Sequence, residues 1–189
     1  MRLTPLALLV LSTAPALAQA DRYELGRRLH DFEVAWDQHA DDAAAKKRAA
    51  PLVKEAFELY FQFDFPGVAR KVDAARHALE SNDRAPAAVR WADSIQIVPD
   101  KRVVDASTDD LTVTVKTFYK PEVFVPKIAM LRAKIGNGKT IEAQFEKLPI
   151  TIKVPIKDVP GQPSADLKLT VEVVYEGQVV ATRVVGVAR

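Results

Sequence analysis

The chain has 189 residues, no cysteine, 27 basic against 25 acidic side chains, and 48% hydrophobic residues. A disulfide framework and any thiolate site are excluded, the near-balanced charge argues against a nucleic-acid binder, and the apolar fraction is too high for a disordered chain. The length suits one large domain or two small ones.

Residues 1–20 read MRLTPLALLVLSTAPALAQA. An early arginine, an apolar stretch from Leu6 to Leu11 and the small residues Ala16, Ala18 and Ala20 are the layout of a secretory signal peptide. The apolar core is well short of the ~20 residues a spanning helix needs. The expectation is export to the periplasm or beyond, with no integral membrane segment after processing.

Composition then changes near residue 91. Residues 21–90 hold fifteen alanines and five β-branched residues (Val34, Val53, Val68, Val72, Val89), whereas residues 91–189 hold thirty-three β-branched residues. Alanine favours helix, and β-branched side chains favour strand. Helices followed by strands argue for segregated domains, so the expectation is a helical bundle over 21–90 and an all-β domain over 91–189.

The first helix is predicted over 22–39, with Leu25, Leu29, Phe32 and Trp36 on one stripe. The second is predicted over 42–63, capped by Asp41 or Asp42, with Leu52, Ala56, Leu59 and Phe63 at the same spacing and Val53, Phe57 and Tyr60 on an adjacent face. Pro51 should kink it or mark its effective start. Being apolar on more than one face, this helix is expected to be the central one. The third is predicted over 65–80, with Val68, Val72, Ala75 and Leu79 inward, Asp64 as N-cap, Pro66 in the first turn and Ser81-Asn82 at the end. Residues 52–79 echo the spacing of a tetratricopeptide hairpin in a single copy, and a solenoid needs about three. A three-helix bundle containing a TPR-like hairpin is the reading.

Strands are predicted over 94–98, 111–119, 129–135, 141–145, 148–156, 167–175 and 179–187, with a short edge piece at 101–104. Turn signals separate them at Gly136-Asn137-Gly138, Pro160-Gly161-Gln162-Pro163 and Glu176-Gly177. From Leu148 to Ile156 apolar residues alternate with Pro149, Thr151, Lys153 and Pro155, which suits a sheet edge protected against pairing with another chain. About seven strands in such a length fit an immunoglobulin-like antiparallel β-sandwich.

Chemical motifs are sparse. There is no zinc cysteine set, no GxSxG elbow and no phosphate loop. The histidines His30, His39 and His77 all fall in the helical half. His30 with Glu33, and His77 with Glu80, are spaced to share a helix face, so antiparallel first and third helices could offer a metal site. The alternative is that all four are solvated. The run Phe57, Tyr60, Phe61, Phe63 and Phe65 is a binding groove or membrane patch on one reading, and buried core on the favoured one. Trp91, at the switch from helix to sheet, is expected to pack the domains together and to mark a ligand cleft. Phe118 and Tyr119 are further candidate contacts, and Phe124, Phe145 and Tyr175 could add to an aromatic platform for sugar.

The segments LGRRLHDFEVAW, VARKVDAARHALES and RWADSIQIVPDKRVVD resemble the N-terminal region of some secreted bacterial α/β-hydrolase-like proteins. In those, a helical segment and a sandwich-like segment precede a catalytic domain. The resemblance implies an accessory module and supplies no catalytic residue. The expected function is a secreted non-catalytic module that requires no cofactor and binds a protein or glycan partner. Alternatives are an accessory subunit of a separate hydrolase, or a metal enzyme using His30, Glu33, His77 and Glu80.

Overall fold

The computed structural model describes residues 6–81, 84–105, 107–122, 124–156 and 167–188. The chain divides into two compact units, residues 1–85 and 86–189. The expected turn at Pro160-Gly161-Gln162-Pro163 and the end signal at Asn82 lie outside the described residues.

Among the described residues, the first unit is built of three helices: α1 (Leu6–Gln38), α2 (Ala43–Phe61) and α3 (Phe65–Glu80). α1 begins inside the stretch read as an export signal, well before the predicted start at residue 22. Among the described residues, no helix is long and apolar enough to cross a membrane. Asp42 caps α2 by accepting the Ala45 N–H at 2.9 Å, and Asp64 caps α3 by accepting the Gly67 N–H at 3.0 Å. Ser81 ends α3 in extended conformation. Pro51 lies inside α2, which starts eight residues earlier.

The expected centrality of α2 is not what the structure has. α3 packs against both α1 and α2. Its buried residues include Gly67, Ala69 and Ala75 as well as Val68, Val72 and Leu79. Small side chains permit close approach on two sides; α2 buries Ala45, Ala49 and Ala56 and leaves Phe57, Tyr60 and Phe61 exposed. Ala35, Ala45, Ala49, Ala75 and Leu79 form a compact cluster near the α1–α2 connection. α1 is also tied to α3 by charge. Arg28, 1% exposed, donates to Glu24 at 3.0 Å and to the carboxylate of Asp73.

The second unit opens with a short helix, α4 (Ala87–Asp93), for which the sequence reading has no element. Seven strands follow among the described residues: β1 (Ile95–Pro99), β2 (Asp110–Thr117), β3 (Ala129–Ile135), β4 (Ile141–Phe145), β5 (Ile150–Pro155), β6 (Leu167–Tyr175) and β7 (Gln178–Val187). They form two antiparallel sheets, β1-β2-β5 and β4-β3-β6-β7. One core takes residues from both sheets, among them Val113 and Val154 from the first and Leu131, Leu169 and Val171 from the second. β5 is an edge strand, as Pro149 just before it and its own Lys153 and Pro155 foretold. The hairpin from β6 to β7 turns through Glu176 (φ 50°) and Gly177 (φ 76°), the left-handed pair that suits strand twist. The expected edge piece at 101–104 appears as a parallel bridge between Val103 and Ala188.

Candidate functional site

Two regions of the first unit carry surface that folding alone does not require. The first is an apolar cleft of about 390 Å³. α3 lays its floor with Val68, Val72 and Ala75. Leu29 and Phe32 of α1 form one wall, and Val53, Ala56, Phe57 and Tyr60 of α2 form the other. Among these side chains the Tyr60 hydroxyl is the one polar group. The cleft exists because α1 and α2 meet through alanines near their connection and both pack on α3 further along. At that connection Trp36 and Phe32 lie 5.7 Å apart and the Lys46 Nζ sits 5.0 Å over the Trp36 ring. Leu29 is 42% exposed and Phe57 62%, so the cleft is open to solvent.

The second region is the turn from α2 to α3. The favoured reading of the aromatic run as buried core is overturned here. Phe57, Phe61 and Phe63 are more than half exposed, Tyr60 is 49% exposed, and Phe65 is half-buried. Phe57 and Tyr60 lie along the cleft wall, Tyr60 6.2 Å from the Phe65 ring at the start of α3, and Phe61 and Phe63 stand out from the turn. The turn closes by two backbone bonds, Phe63 N–H to Tyr60 O at 3.0 Å and Asp64 N–H to Leu59 O at 3.1 Å. That pattern places residue 63 in left-handed backbone, where glycine is the usual occupant. Phe63 holds it at φ 59° with 79% of its surface exposed, its ring 6.5 Å from that of Phe65. An exposed phenylalanine in this conformation costs folding free energy and gains no burial.

The four candidate metal ligands fall into two local pairs. His30 Nδ1 is 3.7 Å from Glu33 on α1, both highly exposed, and His77 Nδ1 is 3.4 Å from Glu80 on α3. Among the described residues, no group of three or more His, Asp and Glu side chains could hold a metal. Asp73, four residues before His77, is engaged with the buried Arg28 instead.

The candidate contacts of the sheet unit are differently placed from expectation. Trp91 is 2% exposed and stacks on Phe145 at 6.2 Å, inside the core of the second unit. It anchors α4 to the sheets. Tyr119 is buried, and Phe118 is half-buried with its backbone N–H bonded to Ser94 O at 2.7 Å. Phe124 is 41% exposed and meets Tyr175 edge-on at 5.3 Å, so the two rings do not present one flat stacking face.

No family model matches the chain, and no curated protein matches it.

Proposed function

We propose that this chain is an exported, non-catalytic module that binds a protein partner through its helical unit. The observation that carries the reading is the open apolar cleft on α3, continued by the exposed aromatics of the α2–α3 turn. Contiguous exposed apolar surface is costly in water and marks interaction sites, and aromatic side chains are the usual anchors of protein interfaces. Phe63 adds weight, because its backbone conformation would be easier for glycine.

The unit is read as a three-helix bundle with one open side, whose α2–α3 pair is the TPR-like hairpin. The sheet unit is read as an immunoglobulin-like sandwich and as the scaffold. Its strand orders support this, since β1-β2-β5 and β4-β3-β6-β7 correspond to A-B-E and C′-C-F-G of that architecture. The resemblance of residues 22–105 to the region preceding secreted hydrolases makes such an enzyme the favoured class of partner. The layout of residues 1–20 supports export.

The test compares wild-type protein with the Phe57→Ser/Phe61→Ser variant, each immobilised and exposed to envelope proteins. One partner, retained in stoichiometric amount by wild type and lost from the variant, is expected. Equal retention by both, or ester hydrolysis by the purified chain itself, contradicts the reading.

A further inference from the structure

The cleft and the turn are joined through one ring. Phe65, the first residue of α3, lies 6.2 Å from Tyr60 on the cleft wall and 6.5 Å from Phe63 at the turn. Tyr60 meets Phe61 edge-on at 6.0 Å. All three separations fall within the range over which aromatic rings attract. Of the four rings, Phe65 is half-buried, whereas Tyr60, Phe61 and Phe63 are exposed. The backbone fixes its place. The Asp64 carboxylate accepts the Gly67 N–H, and the Asp64 carbonyl accepts the Val68 N–H at 2.9 Å. Gly67 brings this first turn of α3 close to the end of α2. A Cβ at 67 would run into the Asp64 carboxylate and stand 3.1 Å from Leu59 Cδ1.

An exposed ring ordinarily samples several rotamers, and binding must then order it. The Phe63 ring meets Phe65 at an interplanar angle of 89°, the edge-on arrangement that ring quadrupoles favour. One such contact orients Phe63 and leaves it 79% exposed. Two residues at this turn run against helix chemistry: phenylalanine in left-handed backbone at 63, and glycine inside the first turn of α3 at 67.

Resting on the proposed function, we infer that Phe65 is a positioning residue. It orients Phe63 and Tyr60, so that the partner meets rings that are arranged before binding. Both departures from helix chemistry then have a use: left-handed Phe63 sends its ring out from the turn, and Gly67 lets Phe65 reach it. Phe65 itself stays half-buried beneath the rings it orders.

The experiment has one arm without a partner and one with envelope proteins, both on the full chain. Wild type, Phe65→Leu and Phe65→Tyr are each checked for intact helix by circular dichroism. In the first arm Phe63 is selectively labelled and its χ1 couplings are read by nuclear magnetic resonance. Wild type and Phe65→Tyr, which keep a ring at 65, are expected to show one staggered rotamer, and Phe65→Leu to show averaged couplings. In the second arm the three proteins are immobilised as in the retention test of Phe57→Ser/Phe61→Ser. Phe65→Leu is expected to retain the partner at least about fivefold less well than wild type, and Phe65→Tyr to match wild type. Averaged couplings in wild type, a single rotamer kept in Phe65→Leu, or full retention by Phe65→Leu would overturn the inference. A wild type that retains no protein overturns the proposed function, and the rotamer arm decides the ring contact without it.

Discussion

The Arg28 guanidinium on α1 is buried against the carboxylate of Asp73 on α3, with Glu24 as its second partner at 3.0 Å. A charge so enclosed is tolerable because its donors are met by two carboxylates, themselves 5% and 7% exposed. The contact fixes α1 on α3 and so sets the position of one wall of the cleft.

Removing Asp73 takes away one of the two carboxylates that meet the buried Arg28 charge and leaves Glu24 in place. Asp73→Ala is therefore expected to destabilise the helical unit by about 1.5–3 kcal/mol, the worth of a hydrogen bond to a charged group, read as a lower urea midpoint of the helical circular dichroism signal. Arg28→Met combined with Asp73→Leu should recover most of that loss, because an apolar pair of similar volume carries no desolvation cost.

Phe63 predicts an exchange between stability and binding. Phe63→Gly puts the residue that left-handed backbone favours at the end of α2 and is expected to raise stability by about 1 kcal/mol. The same change removes an exposed ring from the proposed interface and should weaken partner binding. A thermal melt and a binding isotherm on the one variant check both directions. A fall in melting temperature would show that the ring is held by packing.

Asp42 gives a prediction in pH. Its carboxylate accepts the Ala45 N–H, and this bond is the main cause holding its pKa below the usual aspartate range. A carboxyl group whose folded pKa is depressed adds stability above its unfolded value and loses that contribution as pH falls through the folded one. The α2 cap should therefore weaken from about pH 4 downward, and Asp42→Asn, which keeps an acceptor oxygen, should flatten that part of the melting curve. Asp105 behaves alike in the second unit. The Ser107 hydroxyl is the main cause lowering its pKa, with the Thr108 hydroxyl adding to it.

Trp91 is predicted to matter for folding and not for recognition. Trp91→Ala deletes a ring stacked on Phe145 in the core of the sheet unit and is expected to cost about 3–5 kcal/mol. In a Trp36→Phe background, which leaves Trp91 as the one indole, the emission should be blue-shifted in the native protein and unchanged when a partner binds. A shift on binding would return Trp91 to the candidate site.

Much of the fold is legible in the residues, and the reason differs by element. The strands announce themselves because side chains alternate: Leu167, Leu169, Val171 and Val173 are all buried in β6, and the alternation breaks at Val174, where the pairing with β7 shifts register. Asp64 is legible as a cap because its position before Pro66 leaves few other roles. The order of the helices is not legible from apolar content. α2 has more large apolar residues than it buries, and α3 is central through Gly67, Ala69 and Ala75, whose smallness a hydrophobic pattern does not register. The same blindness hides the Arg28–Asp73 pair, since a polar residue at a buried position looks like a solvated one. The aromatic run was visible as five rings in nine residues. Its exposure was not, because burial preference describes rings in general and not rings along an open cleft and a helix-to-helix turn. The left-handed turn at Phe63 is the signal that could have separated the cases, and it appears only in the backbone.

The central claim is that the aromatic end of α2 is where this chain is recognised. A photo-crosslinking residue placed at Phe61, and separately at Val184, 48% exposed in the sheet unit, tests it in intact cells. The account predicts one discrete protein adduct from position 61, lost when Phe57→Glu is added, and none from position 184. An adduct from position 184 alone, or one from position 61 that survives Phe57→Glu, would contradict it.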